Sequence, residues 1–268
     1  MFVGFNLKIY GFKARLELEN YYDVGKNLYD KNKTLVRKAL NNYIYDNIEQ
    51  LNGTQIQNDW FPTVNADIFL SHSHMDEKLV IGLAGWLYKK FGLISFIDSC
   101  VWGYANDLLK DIDDEYSSMD SNTYYYKKCI ISSSHVHMML SMALFKMIDK
   151  TECLFFINTP SSIAVANSIE CADKTLSPWI YAELEMSRLV RKKKLSEYRS
   201  KDTFESYQDV LKHGVVINYD ITLEHLIDLR EEDLANWEKY NISKSKEALD
   251  ILYSLKNVFE VGDIKYGQ

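Results

Sequence analysis

ADIFLSHSHMDEKLVIGLAGWLYKKFGLISFID, residues 66–98, decides the architecture of this chain. ADIFLS is a short run rich in Ile, Phe and Leu, with the length and composition of a buried strand. Behind it, Leu79, Leu83 and Leu87 recur at the spacing of one helix face with Val80 and Ala84 beside them. Asp76 or Ser73 stands where the cap of that helix is wanted, and Gly92 where a left-handed residue would end it. LISFID is a second apolar run. Strand, helix, strand in this order opens a parallel sheet.

Downstream, LLKDIDDEY (108–116) has helical spacing, whereas SSMDSNTYYYKKCIISSS (117–134) has no clear period and is expected as an inserted loop. A helix over HVHMMLSMALFKMIDK (135–150) leads into a third strand, CLFFINT (153–159). Ser177 followed by Pro178 predicts a helix start, because a serine cap and a proline at the first helical position suit the free amide end. WIYAELEMSRLVRKKK (179–194) is that helix, and GVVINYD (214–220) is expected as a fourth strand. From there the spacing is mostly helical, through DLREEDLANWEKY and SKEALDILYSLKNVFEV.

On the amino-terminal side, a strand-like FNLKIYGF precedes a helical KTLVRKALNNYIYDNIEQL, and the Gly, Asn and Pro of LNGTQIQNDWFPTVNA mark a connection. The expected organisation is an N-terminal α+β extension (1–62), a central α/β domain (63–220) with an insertion near 117–134, and a helical C-terminal extension (221–268).

Composition narrows the class of function. A chain of 268 residues, 47% of them hydrophobic, has ample material for one large core. With 31 basic against 38 acidic residues the net charge is -7, which offers no general attraction to phosphate backbones or anionic membranes; neither nucleic acid nor membrane is an expected partner. Only 11 glycines and 3 prolines disfavour folds made of many tight turns. Cys100, Cys129, Cys153 and Cys171 show no zinc-finger spacing and are expected as free thiols. The opening residues lack signal-peptide character, and LVIGLAGWLY (79–88) is too short to span a bilayer, so a cytoplasmic location is expected.

The sharpest chemical signal is His72-Ser73-His74-Met75-Asp76. H-x-H-x-D after a strand resembles the zinc motif of the metallo-β-lactamase fold. That motif normally continues with a further histidine, where this chain has Glu77, and the fold needs glycine-rich turns that this composition scarcely supplies. His135 and His137 lie two apart in a helical run and point to different faces. No metal is expected.

DIFLSHSHMDEKLV, FID, WGYANDLL and SPWIYAELEMSRL, in this order and spacing, resemble a bacterial Toll/interleukin-1 receptor (TIR) domain from about Asp67 to about Asp220. The resemblance implies a flavodoxin-like fold, a central parallel sheet with helices on both faces, whose ligands sit beyond the carboxyl ends of the strands. Many TIR domains cleave NAD between nicotinamide and ribose with the glutamate of a W-x-x-x-E helix, a pattern present here as Trp179-Ile180-Tyr181-Ala182-Glu183. It implies Glu183 as catalyst, with Ser71, His72, Asp98, Trp102, Tyr104 and Trp179 at the substrate; Trp102, Gly103 and Tyr104 fall in the loop that covers substrate in that family. NAD would be substrate, with no further cofactor.

The chemistry suits one carboxylate. Nicotinamide leaves as a neutral ring and needs no acid, while an anion beside the ribosyl cation stabilises the transition state. The resemblance further implies homo-oligomers through TIR surfaces and, in antiphage defence of the Thoeris kind, an ADP-ribose-derived signal, open or cyclic, read by a separate effector. A non-catalytic scaffold working by TIR–TIR association is the alternative.

Overall fold

The computed structural model describes residues 1–11, 17–32, 51–120, 123–163, 174–199, 219–240, 242 and 245–258. In chain order the elements are β1 (Val3–Lys8), α1 (Tyr22–Asn32), α2 (Gly53–Trp60), β2 (Ile68–Ser71), α3 (Glu77–Phe91), β3 (Ser95–Ile97) and α4 (Trp102–Tyr116). The paired strands β4 (Ser118–Asp120) and β5 (Thr123–Tyr124) precede α5 (Tyr126–Lys150), β6 (Cys153–Asn158), β7 (Lys174–Thr175), α6 (Pro178–Leu189) and α7 (Leu195–Arg199). Last come β8 (Tyr219–Asp220), β9 (Ile227–Arg230), α8 (Glu231–Glu238) and α9 (Ser245–Leu255).

Five strands form one parallel sheet in the order β3-β2-β6-β1-β9. All six residues of β6 are buried, as a central strand covered on both faces requires. Alternate side chains feed two separate cores. Phe69, Phe96, Leu154 and Phe156 join α2, α4, α5 and α6 on one face; Ile68, Leu70, Phe155 and Ile157 join α1, α3, α8 and α9 on the other. The molecule is thus α/β, a parallel sheet between two helical layers, consistent with a flavodoxin-like architecture.

The chain leaves β2 through α3 on one face to reach β3, then crosses by α4 and α5 on the opposite face to reach β6 on the other side of β2. Strand order therefore reverses at β2, and the carboxyl ends of β2, β3 and β6 border the crevice where such sheets bind ligands.

The boundary expected at Pro62 falls within this one sheet. β1 lies between β6 and β9, with Val3 opposite Cys153 and Phe5 opposite both Phe155 and Ile227. Counting β1 after β6, the five strands follow the flavodoxin order: the N-terminal strand fills the fourth place. The C-terminal segment likewise contributes an edge strand, β9, besides its helices, and α9 buries Ala248, Leu249, Leu252 and Tyr253. Of GVVINYD, residues 214–218 lie outside the described residues; Tyr219 and Asp220 pair antiparallel with β7, away from the central sheet.

The expected loop at 117–134 is a two-stranded pair followed by the first turns of a 25-residue helix. Its helical half lacks a period because Tyr126, Ile130 and Ile131 are exposed; burial begins with Ser132 and Val136. Among the described residues no helix is long and apolar enough to cross a membrane.

α3 is held against α1 by close backbone contact. A Cβ built on Gly25 would lie 1.9 Å from the Ile81 carbonyl oxygen, and one on Gly85 would lie 2.1 Å from that of Tyr21. Gly92 ends α3 at φ 67°, with its N–H on the Leu87 and Tyr88 carbonyls, as its place in the sequence predicts.

Candidate functional site

Ser71 ends β2 and has the same parity as Phe69, so it faces the layer that contains α6. Its Oγ donates a 2.7 Å hydrogen bond to Glu183 Oε2, and both side chains are fully buried. α6 starts where its sequence demands: the Ser177 hydroxyl accepts from the Ile180 N–H at 3.2 Å and Pro178 occupies the first turn. Ile180, Glu183, Leu184 and Ser187 are its buried face. The hydrophobic members of that stripe, Ile180 and Leu184, seat the carboxyl group against the end of β2.

His72, the next residue after β2, is also fully buried, and its Nδ1 lies against Asp98 Oδ1 in a very short contact. Asp98 follows β3; its Oδ1 also accepts the Ser99 N–H at 2.8 Å. Two strand ends and one helix thereby gather Ser71, His72, Asp98 and Glu183 into a single sealed cluster.

Its electrostatics are unusual. Burial pushes the Glu183 carboxyl well above the ordinary carboxylate range and the neighbouring Asp98 charge adds to this, with the Ser71 hydroxyl opposing. For His72, burial favours the neutral ring, but the charge and hydrogen bond of Asp98 outweigh it and raise the pKa. His72 Nε2, Asp98 Oδ2, Glu183 Oε1 and Ser99 Oγ are buried with no hydrogen-bond partner among the described residues. A buried polar atom left so costs about 1–3 kcal/mol, and such atoms collect at sites that handle ligands or protons.

Of the other expected site residues, Trp179 is not drawn into this cluster. It is partly buried against the same core as α6, with its ring centroid 6.1 Å from that of His137 on α5. The side chains of Trp102 and Tyr104 lie outside the described residues; the backbone there opens α4 where a covering loop was expected. His74 is exposed while His72 is buried against Asp98, so the two do not converge. Among the described residues no three His, Cys, Asp or Glu side chains are grouped to hold a metal ion.

A second polar group at the same sheet edge gives little sign of itself in the sequence. Thr159, directly after β6, donates its hydroxyl hydrogen to Asp76 Oδ2 and lies 3.2 Å from Ser162 Oγ, which in turn donates to the Ile157 carbonyl at 2.7 Å. Asp76 therefore ties the exit of β2 to that of β6, and makes no side-chain cap hydrogen bond to α3. Ser73 caps the short 3-10 turn His74–Asp76 before that helix. The signal for this group is the Thr-Pro-Ser-Ser that follows CLFFIN.

A cleft of about 370 Å³ opens on the opposite face, beyond β1 and β9, between Ile9, Trp86 and Leu234. Glu17, Glu231 and Glu238 line it, which disfavours a phosphate-bearing ligand there. The chemistry is concentrated in the sealed cluster instead.

Comparison with protein-family models, with curated proteins and with solved structures found no match to this chain.

Proposed function

We propose that this protein is a TIR-type enzyme that releases nicotinamide from NAD, with Glu183 as its catalytic residue. The observation that carries the reading is the Ser71–Glu183 hydrogen bond: it holds one carboxyl group at the carboxyl edge of the sheet, beside the point where strand order reverses. The W-x-x-x-E helix and the three other TIR-like segments supply the reaction class.

In this mechanism the C1′–N bond breaks and its electron pair passes to the nicotinamide ring, which leaves neutral. The ribosyl carbon becomes cationic, and the Glu183 carboxylate stabilises it more than it stabilises the substrate. Water attacking C1′ gives ADP-ribose and a proton. Attack by a nucleophile within the same molecule gives a cyclic product, the form suited to a signal. Ser71 positions the carboxylate, and His72 Nε2 is a donor for a ribose hydroxyl or phosphate oxygen.

Glu183 has no exposed surface, so substrate reaches it only after the packing above it opens. Association of TIR surfaces is the event we assign to that opening. The same burial favours the second reading, a scaffold that works by TIR–TIR association alone.

Purified protein incubated with NAD, as wild type and Glu183→Ala, separates the two. Nicotinamide release by wild type only supports the enzyme, and mass spectrometry of the remaining product distinguishes ADP-ribose from a cyclic isomer. Equal release by both removes Glu183 from the mechanism. Self-association without turnover supports the scaffold.

A further inference from the structure

We propose that Asp98 and Glu183 share one proton in the resting protein, that His72 is the cation balancing the remaining charge, and that Asp98 is thus the positioning residue that keeps Glu183 uncharged until a cationic substrate arrives.

Donors and acceptors in the cluster do not balance. Glu183 Oε2 is taken by the Ser71 hydroxyl, and Asp98 Oδ1 by the Ser99 N–H and His72 Nδ1. The oxygens left over, Glu183 Oε1 and Asp98 Oδ2, are both buried and both without a donor among the described residues. The two carboxyl groups are nevertheless neighbours, held by the consecutive residues Ser71 and His72, and the charge of Asp98 acts on Glu183. Two ionised carboxylates cannot satisfy one another, since each only accepts; one proton between them satisfies both oxygens at once.

Charge counting agrees. With both side chains fully buried, two anions facing one imidazolium would leave a net buried charge. An imidazolium, one carboxylate and one carboxylic acid sum to zero. The charged groups acting on the cluster are His72 directly after β2, Asp98 directly after β3, Glu183 from α6, and Glu77 at the start of α3, whose charge further favours the His72 cation.

The consequence for the reaction rests on the proposed NAD cleavage. A neutral Glu183 does not stabilise a ribosyl cation. Entry of the positively charged nicotinamide ring makes a second anion favourable, the shared proton passes to solvent, and Glu183 takes on its charge where it is used. In an empty site the same group stays neutral.

The test needs no nucleotide, so its failure is distinct from failure of the enzymatic reading. Carbon-13 NMR of the full chain labelled at its glutamate carboxyls is recorded across a pH titration from about 4 to 9. We expect one resonance that stays protonated at pH values where the exposed glutamates have ionised. It should be missing in Glu183→Gln and shift to a lower titration midpoint in Asp98→Asn, whose side chain carries no charge. If every wild-type glutamate titrates together in the ordinary range, the proposal is overturned, and that spectrum requires no variant to fold. It is equally overturned if the late-titrating resonance survives in Glu183→Gln, or if Asp98→Asn leaves its midpoint unmoved.

Discussion

Ser71 and Glu183, 112 residues apart in the chain, are joined by a 2.7 Å hydrogen bond inside the protein, the serine at the end of β2 and the glutamate one turn into α6. This contact turns a helix-borne acid into a component of the sheet edge. Ser71→Ala leaves Glu183 with a second unpartnered oxygen, so the variant should lose about 1–3 kcal/mol of stability. Urea unfolding checks it; a midpoint equal to wild type would mean that the bond is not formed.

Glu183→Gln replaces the buried acid by a neutral group of the same shape. A carboxyl whose pKa is raised in the folded state binds more protons folded than unfolded. Its contribution is complete below the unfolded value of 4.5 and is lost as pH rises through the folded one. His72, also raised, contributes fully below 6.5 and loses its share as pH rises through its folded pKa. The variant should therefore lose less stability than wild type on going from mildly acidic to alkaline pH. Parallel curves would argue against a raised Glu183.

If Glu183 must ionise to work, nicotinamide release rises with pH, because hydroxide removes the proton that silences it. The ascending limb should lie above the ordinary carboxylate range in wild type and move to lower pH in Asp98→Asn. A pH–rate profile for both proteins decides this, and identical limbs would exclude Asp98 from setting the charge.

Gly85→Ala should be destabilising by about 1–3 kcal/mol, because the added carbon meets the Tyr21 backbone 2.1 Å away and α1 must be displaced from α3. Gly53→Ala is the control: there the nearest atom is the end of the flexible Met139 side chain at 3.2 Å, and the change should stay within about 0.5 kcal/mol. Thermal unfolding of the pair provides the comparison.

Removal of residues 245–268 should abolish soluble, cooperative folding. α9 covers the sheet through Leu249, Leu252 and Tyr253, and the Tyr253 hydroxyl donates to buried Glu152 at 2.9 Å while Lys246 pairs with Glu152 and Asp67. A monodisperse truncated chain with wild-type unfolding behaviour on gel filtration and calorimetry would show α9 to be an appendage.

Several parts of this molecule are legible in the sequence because they depend on neighbours in the chain. The β2, α3, β3 unit follows from local periodicity, the start of α6 from Ser177-Pro178, and the end of α3 from Gly92. Ser71, His72 and Asp98 can be named as candidates because strand ends in an α/β sheet are where ligand-facing groups emerge, and the structure does bury all three at the ends of β2 and β3. Thr159 cannot, since nothing in TPSS identifies Asp76 as the partner of its hydroxyl. Trp179 shares a helix with Glu183, yet its ring lies near His137, because a residue four positions earlier sits at the shoulder of the buried stripe.

Sequence by itself determined the identity of the strands β2, β3 and β6, the start of α6 at Ser177-Pro178 and the end of α3 at Gly92, all of which arise from propensity and spacing within a few turns of chain. Tertiary structure alone decided that Val3–Lys8 fills the gap between β6 and β9, that the C-terminal segment completes the sheet, and that two acids and a histidine meet in one buried cluster. The physical reason is that strand pairing and burial act between segments more than a hundred residues apart, such as Val3 and Cys153, where no local pattern records which partner is chosen.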